Sequence, residues 1–175
     1  TKTTTKTYDV YSDGSKKLVK TDTSTDYDRS TFNATAKDLW PDAVKIANEN
    51  QAKLKAVVDE VNKVRAEAGV APLVMDKTLN YVDNVRDLEM GWGSKFSHTR
   101  PNGKNFITVF KDLGLSYNAG ENIAGGNHSP VGVVTVWKNS EGHYYNMINS
   151  NYTKIGIGVA TWNGRYFWSQ ILVIE

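Results

Sequence analysis

Cysteine is absent from this chain of 175 residues, which excludes disulfide bonds, thiolate chemistry and cysteine-based zinc sites. No apolar run approaches the about 20 residues of a membrane span, and the chain opens on no signal-peptide pattern, so we expect any export signal or anchor to lie outside this sequence. No basic run is interleaved with aromatic residues, and the formal charge is only +2, so we expect no nucleic-acid partner. What remains, 39% hydrophobic and 11% aromatic residues, predicts one principal globular domain, with a monomer as the default.

The first part of the chain is rich in threonine. Ten of the first 35 residues are Thr, with Lys, Asp and Ser between them, and such a segment buries little apolar surface. We therefore interpret residues 1–40 as an arm or linker and residues 41–175 as the folded domain. As an alternative, a turn at Asp13-Gly14 between alternating residues would make part of the arm a small hairpin.

Apolar spacing in the domain predicts four helices. Apolar residues recur every three or four positions from Leu54 to Val64, until Gly69 ends the pattern. Asp76 is the expected N-cap of a second helix, and "NFITVFKDLG" has the spacing of a short third one. The fourth starts at the cap Ser129 and continues through "SPVGVVTVWKNSEGHYYNMI".

The chain ends in predicted strands. The runs "KIGIGVAT" and "RYFWSQILVI" alternate and are rich in β-branched and aromatic residues, and Asn163-Gly164 between them is a strong hairpin signal. Helices that come first and antiparallel strands that come last argue against a parallel βαβ repeat. The sequence therefore predicts an α+β fold, with helices packed on an antiparallel sheet and a β-hairpin at the C-terminus.

Two histidines and a glutamate are the residues that point to chemistry. Imidazole nitrogens and a carboxylate oxygen are a standard ligand set for zinc, and His98, Glu121 and His143 supply them from three separate stretches. Taken singly, each has a simpler interpretation, as a turn histidine, a surface carboxylate or an exposed helix residue. Their wide spacing matches no compact metal-binding motif. The sequence also contains no Gly-x-Ser-x-Gly elbow, no His-Glu-x-x-His motif and no phosphate-binding glycine loop.

Helical geometry separates the polar residues around His143. Residues two positions apart point about 200° from each other on a regular helix, so Glu141 and His143 do not both face one cleft. Asn139 and Ser140 lie four and three positions before His143 and would share its face. We therefore favour His143 and Ser140 as residues that line the site, and Glu141 joins them only if Gly142 loosens the helix.

Several stretches together carry a family resemblance. They are "VNKVRAEAGVAPLVMDKTLNYVDNVRDLEM", "FSHTRPNG", "GENIAGG", "WKNSEGHYYNMI", "YTKIGIGVAT" and "YFWSQILV". In this order they resemble the bacterial branch of the CAP superfamily, or SCP domain, which groups cysteine-rich secretory proteins, antigen 5 and plant pathogenesis-related proteins. The similarity covers about residues 47–175 and does not include the threonine-rich segment.

The resemblance implies a fold and a site. The fold is an α-β-α sandwich with a central antiparallel sheet, and its cleft holds two histidines and two acidic residues that bind zinc or another divalent ion in some members. His98 matches the histidine of the first motif, and Glu121 and Asn122 match the "GEN" motif. His143 matches the histidine of the bacterial Ser-x-Gly-His helix. The metal ligands implied for this chain are therefore His98, Glu121 and His143.

Two departures from the eukaryotic pattern leave a four-residue site incomplete. Eukaryotic members place an acidic residue three positions after the helix tryptophan, where this chain has Ser140, with Glu141 one position later. Their second histidine lies in a "Gly-His-Tyr-Thr-Gln" motif, for which "SNYTKIG" offers no histidine.

The resemblance also implies a class of function. We expect a secreted, extracellular or cell-wall-associated protein that uses its cleft to bind a lipid, sterol, glycan, host or cell-wall ligand without classical catalysis. The alternative is a metal-dependent, peptidase-like hydrolase in which His98 and His143 hold the ion and Glu121 is a ligand or general base. In a third possibility, the three residues form a hydrogen-bonded cluster that only organises loops.

Overall fold

The computed structural model describes residues 2–10, 16–25, 34–93 and 95–175. The chain forms two compact units, Thr1–Phe32 and Asn33–Glu175. In the first unit, strand β1 (Lys2–Val10) pairs in antiparallel fashion with strand β2 (Lys16–Thr25). The turn considered at Asp13-Gly14 lies outside the described residues. No helix in the described part of the chain is long and apolar enough to span a membrane.

The second unit contains six helices and a four-stranded sheet among its described residues. Its elements are α1 (Ala36–Glu49), α2 (Gln51–Glu67), β3 (Val74–Met75), α3 (Lys77–Trp92), α4 (Thr108–Asp112), β4 (Asn118–Gly125), α5 (Pro130–Lys138), α6 (Glu141–Ile148), β5 (Lys154–Trp162) and β6 (Arg165–Ile174). The strand order is β3-β5-β6-β4, and the pairs β5–β6 and β4–β6 are antiparallel. The predicted α+β fold is thus confirmed, with one addition: β3 pairs with β5 in parallel fashion at the sheet edge.

Helix α1 was not among the four predicted helices, the first of which corresponds to α2. A capping box between Thr35 and Asp38 starts α1, and Ala36 and Leu39 are fully buried. Residues 36–40, assigned above to the arm, therefore belong to the folded unit. Pro41 lies inside α1, although proline normally breaks a helix, and most of the buried side chains of α1 are alanines, which give a weak apolar pattern.

The predicted fourth helix is two helices. α5 ends at Lys138, and Ser140 adopts an extended conformation with φ −108° and ψ 119° before α6 starts at Glu141. The prediction of one continuous helix was wrong because its apolar spacing continues across the break. Other local signals were correct: Asp76 and Ser129 cap their helices, and Asn163 and Gly164 both have positive φ in the β5–β6 turn.

The sheet is covered on both faces by helices. On one face, Ile155, Ile157 and Val159 of β5 join a buried cluster that includes residues of α2, α5 and α6. The next residues in the alternation, Gly156 and Gly158, face α3. These two layers around the sheet are the predicted α-β-α arrangement.

Two side chains of helix α3 accept hydrogen bonds from backbone N–H groups of β5, in the place that a neighbouring strand would take. Asn80 Oδ1 accepts the N–H of Ile157 at 2.9 Å, and Asn84 Oδ1 accepts the N–H of Val159 at 3.2 Å. Both asparagines are buried, so these bonds satisfy amides of β5 that β3 is too short to reach. The position of α3, which carries much of the site described below, is therefore set by the sheet.

The close approach of α3 gives a first testable prediction. A Cβ at Gly156 would lie 2.5 Å from the carbonyl carbon of Leu79, so Gly156→Ala must push α3 away from the sheet. We expect a loss of about 1–3 kcal/mol in the free energy of unfolding, measured by urea denaturation. Gly142→Ala is the control, because nothing lies within 4 Å of a Cβ there and alanine favours the helix. Equal stability of the two variants would contradict the close packing.

Candidate functional site

Helix α3 carries an arginine and a glutamate into the interior of the domain. The Arg86 side chain is 0% exposed and its Nε donates to Glu121 Oε1 at 2.7 Å. Its Nη1 donates to Glu89 Oε2 at 2.6 Å, and its Nη2 donates to the carbonyl of Ser97 at 2.9 Å. Burial acts to lower the pKa of Arg86, but the carboxylates of Glu121 and Glu89 outweigh it and raise that pKa. Arg86 therefore links α3, β4 and the loop after α3.

Glu121 orients the ring of His98. Strand alternation turns Glu121 toward α3, where its side chain is 0% exposed and its Oε2 lies 2.7 Å from His98 Nδ1. Because the carboxylate accepts, we assign the proton of this bond to Nδ1, which leaves Nε2 as the ring nitrogen without this contact. The His98 side chain is 49% exposed, so the arrangement is a half-exposed imidazole held by a buried carboxylate.

Arg100 fastens the loop that carries His98. It is 1% exposed, and it bridges Glu89 on α3, with Nη2 to Oε1 at 2.8 Å, to Asp112 on α4, with Nη1 to Oδ2 at 2.7 Å. The backbone N–H of Phe106 donates to the carbonyl of His98 at 2.9 Å, which closes the loop on itself. The alternating charges Asp112, Arg100, Glu89, Arg86 and Glu121 thus form one continuous network that ends at His98.

Asn122 faces the opposite side of β4 from Glu121. It is fully buried, and its Nδ2 donates to the carbonyl of His143 at 3.1 Å and to Gln170 Oε1 at 2.8 Å. Its Oδ1 accepts from Asn146 Nδ2 at 2.9 Å. Asn122 therefore connects β4, β6 and α6 through hydrogen bonds, and it is not an exposed residue that lines the site.

His143 lies on α6 and is half-buried. Burial lowers the pKa of its imidazole, and the nearby His98 lowers it further. Its Nδ1 is buried and has no hydrogen-bond partner among the described residues. The electrostatic effect shows that His98 and His143 lie in one region, whereas Glu121 contacts only His98 of the two.

Asn139 and Ser140 do not lie on the helix of His143. The predicted shared face of Asn139, Ser140 and His143 required a continuous helix, and the break at Ser140 removes that argument. Ser140 is half-buried at the N-cap of α6, and its side chain makes no capping hydrogen bond. Glu141 is exposed in the first turn of α6. Its position two residues from His143 keeps the two side chains on different faces.

This arrangement does not fit a divalent ion. Both oxygens of Glu121 are engaged, one by Arg86 and the other by His98, and a cationic guanidinium adjoins the carboxylate. Among residues 34–93 and 95–175, no three His, Asp or Glu side chains are placed to hold a metal ion. Zinc binding by His98, Glu121 and His143 accordingly stays a prediction that this geometry does not support.

The charged partners of the site were missed by the sequence analysis. Arg86 and Glu89 lie three positions apart on α3, the normal spacing of a surface ion pair. One signal was available: Arg86 falls on the same helical stripe as the buried Leu79 and Met90, where a charge needs an internal partner. The identity of that partner, 35 residues away on β4, is set only by the fold.

Residues 58–172 match the family model described as the cysteine-rich secretory protein family, CAP. The chain belongs to this family. The expected bacterial CAP, or SCP, domain is thereby confirmed, and the α-β-α arrangement with His98 beside Glu121 is the form that it takes in this member.

Two curated relatives come from Bacillus subtilis strain 168. The uncharacterized protein YkwD is 40% identical over 105 residues, which are 59% of this chain and 41% of YkwD. The uncharacterized membrane protein YlbC is 31% identical over 106 residues, which are 60% of this chain and 31% of YlbC. The chain thus matches less than half the length of each relative. The similarity agrees with the family, and the descriptions of the two relatives name no activity.

Solved structures share the fold. An extracellular SCP-domain protein of Bacillus anthracis strain Ames superposes with a TM-score of 0.64 at 26% identity, over 71% of this chain and 41% of that protein. An outer surface protein of Borrelia burgdorferi superposes with a TM-score of 0.65 at 22% identity, over 72% of this chain and 95% of that protein. The second similarity concerns the fold alone.

Proposed function

We propose that this CAP domain is an extracellular or cell-surface binding module that contacts its ligand through His98. The extracellular description of the Bacillus anthracis SCP-domain protein supports the location. The family resemblance suggests lipids, sterols, glycans and cell-wall or host proteins as ligands. The observation that carries the proposal is the His98 ring, which is half-exposed and held at Nδ1 by the buried Glu121.

A ring held in this way is suited to recognition. Glu121 fixes the orientation of the imidazole, and Arg86 and Arg100 fix Glu121 and the loop through buried ion pairs. Because the supporting groups are already in place, a ligand that bonds to Nε2 need not order the site. This preorganisation requires no bound ion and no nucleophile.

The hydrolase alternative requires a movement of Glu121 that would break a buried ion pair. Glu121 would have to leave Arg86 to become a metal ligand or a general base. That movement would leave a fully buried guanidinium with only Glu89 as its acidic partner, which costs several kcal/mol. Binding through His98 requires no such rearrangement.

Isothermal titration of a panel of peptide, glycan and lipid ligands tests the proposal. We expect His98→Ala to lower the affinity for the cognate ligand by about tenfold, the value of one lost hydrogen bond. The variant should also lose about 1–3 kcal/mol of stability, because one oxygen of the buried Glu121 loses its partner, so affinities are compared at a temperature where both proteins are folded. His128→Ala is the matched control, since the His128 ring contacts the carbonyl of Gly125 in another loop.

The outcomes separate the three functions. Equal affinities of the wild type and His98→Ala for every ligand that binds contradict the proposal. Turnover of a peptide library that depends on added zinc and is lost in His98→Ala favours the hydrolase. Loss of stability in His98→Ala without any loss of binding favours a structural cluster.

A further inference from the structure

The C-terminal half of the domain is strongly depleted in acidic residues. Between Gly91 and Ile174 the chain carries seven Lys and Arg but only three Asp and Glu, namely Asp112, Glu121 and Glu141. Asp112 is paired with Arg100 and Glu121 with Arg86, so Glu141 is the one acidic residue of this segment that is exposed. Of its cations, Lys138 pairs with Glu67, Lys154 with Glu175 and Arg100 with Glu89, so the cationic character of the described surface is confined to the exposed Lys95, Lys104, Lys111 and Arg165. Such exposed cations attract anionic ligands.

Exposed cations flank the loop of His98. Lys95 and Lys104 are both exposed. The Thr99–Asn105 bridge and the bond from the N–H of Arg100 to the carbonyl of Lys104 fold this loop into a short hairpin, so Lys104 returns close to His98. No acidic residue occurs between Gly91 and Lys111 to neutralise these two lysines locally.

An aromatic and cationic cluster lies at the other end of β4. Phe96 is 46% exposed and packs against the buried Phe167, with 6.4 Å between ring centroids. The guanidinium of the exposed Arg165 lies 5.6 Å from the centroid of the same Phe167 ring. A Cβ on Gly125 would lie 3.0 Å from Arg165 Nη2, which places Arg165 at the end of β4. Stacking on Phe167 leaves the N–H groups at the guanidinium edge able to bind a carboxylate.

The loop of His98 and the cluster around Arg165 lie beside the same strand, β4. Together they are the two ends of a strip along that strand. His98 contacts Glu121, and Arg165 adjoins Gly125, four residues further along the same strand. At about 3.3 Å per residue, the backbone positions of Glu121 and Gly125, beside which the two ends lie, are about 13 Å apart. Phe96, two residues before His98 in the chain, packs on Phe167, which pairs with Gly125, so its ring lies at the Arg165 end. An extended peptide crosses this distance with about four residues.

We infer that the strip formed by His98, Phe96 and Arg165 binds an extended acidic peptide segment. A carboxylate of the peptide pairs with Arg165, an apolar side chain packs on Phe96, and a polar group bonds to His98 Nε2. The inference rests on the proposed function, since it uses His98, and it adds the class of ligand. An exposed phenylalanine beside Arg165 favours an apolar side chain in the ligand over a purely polar polyanion.

Fluorescence anisotropy with a labelled octapeptide of alternating Asp and Leu tests the inference. We expect Arg165→Gln to weaken binding by about tenfold and Phe96→Ala by a smaller factor, and the affinity to fall with added salt. Lys37→Gln is the matched control, because Lys37 is an exposed cation on α1 and should leave the affinity unchanged. The comparison ligands are an octapeptide of alternating Lys and Leu, one of alternating Asp and Ser, polygalacturonate and phosphatidylglycerol vesicles.

Two results would overturn the inference, and a third would assign the strip to another class of ligand. One is equal affinity for the Lys-Leu and Asp-Leu peptides, and another is an Arg165→Gln effect no larger than that of Lys37→Gln. Tighter, Arg165-dependent binding of polygalacturonate or of vesicles would assign the strip to a glycan or a lipid surface instead.

The variant His98→Ala distinguishes this inference from the proposed function. Arg165-dependent peptide binding that persists in His98→Ala supports the peptide class and contradicts the role of His98. If the Asp-Leu peptide does not bind while another ligand binds in a His98-dependent way, the proposed function stands and the peptide class is rejected.

Discussion

The Arg86→Met variant is expected to lose about 3–5 kcal/mol of the free energy of unfolding, because it leaves a buried carboxylate without its cation. Arg86 is fully buried and joins Glu121, Glu89 and the carbonyl of Ser97. Methionine fills a similar volume but offers no hydrogen bond to any of them. Urea denaturation followed by tryptophan fluorescence measures the loss.

A double variant keeps the prediction testable if Arg86→Met alone does not fold. Arg86→Met together with Glu121→Gln removes both charges, so it should be more stable than the sum of the two single effects predicts, by about 1–3 kcal/mol. Arg165→Gln serves as the exposed control and should change the stability by less than about 0.5 kcal/mol. Additive single effects, or an Arg86→Met effect as small as that of the control, contradict the buried network.

A second large effect concerns pH. Asp83 and Asp87 lie one turn apart on α3, are fully buried, and face Gly156 and Gly158 of β5. Burial raises the pKa of both carboxyls well above the ordinary value, and the charge of Asp83 raises that of Asp87 further. Glu121 acts in the same direction on both, whereas Arg86 and the hydroxyl of Ser169 act against it.

The sign of the pH dependence follows from these raised pKa values. The folded state retains protons that the unfolded chain releases above its ordinary carboxyl pKa of about 4. The stabilisation is therefore complete below that pKa and is lost as the pH rises through the folded-state pKa values. Within this window, each carboxyl lowers the free energy of unfolding by about 1.4 kcal/mol per pH unit.

Asp87→Asn tests this assignment, because an amide does not titrate. Asp87 has no hydrogen-bond partner for either carboxyl oxygen among the described residues, so its contribution is dominated by burial. We expect the variant to flatten the decline of stability as the pH rises above the ordinary carboxyl pKa of about 4, as measured by urea denaturation at a series of pH values. Glu141→Gln changes an exposed carboxyl and should keep the wild-type slope. An unchanged slope in Asp87→Asn would show that the buried pair is ionised throughout.

The fold was predictable wherever a local signal agrees with the tertiary structure. Caps at Asp76 and Ser129 and the turn at Asn163-Gly164 depend on one to four neighbouring residues, and all three formed as expected. The break at Ser140 was not predictable from apolar spacing, since the spacing continues across it and residues of both α5 and α6 join the same buried cluster. Helix α1 was missed because its buried side chains are mostly alanines and because Pro41 lies inside it.

The site was only partly predictable for a related reason. His98 and Glu121 were paired through their motifs, and the structure brings them into contact. Arg86, Glu89 and Arg100 lie inside stretches that carry the resemblance, but the resemblance assigns them no role, and a charged residue in a sequence normally indicates surface. Only the folding of α3 against the sheet shows that these three charges are buried and compensate one another.

The measurement that tests the central claim most directly is the ¹⁵N NMR spectrum of the histidine rings, recorded before and after addition of one equivalent of zinc. The claim is that Glu121, paired with Arg86, orients His98 for ligand binding. It predicts a protonated His98 Nδ1 that is hydrogen-bonded to Glu121 and is unchanged by zinc, with Nε2 free to respond to ligands. Stoichiometric zinc shifts of both His98 and His143 that vanish in Glu121→Gln would contradict it and restore the metal site.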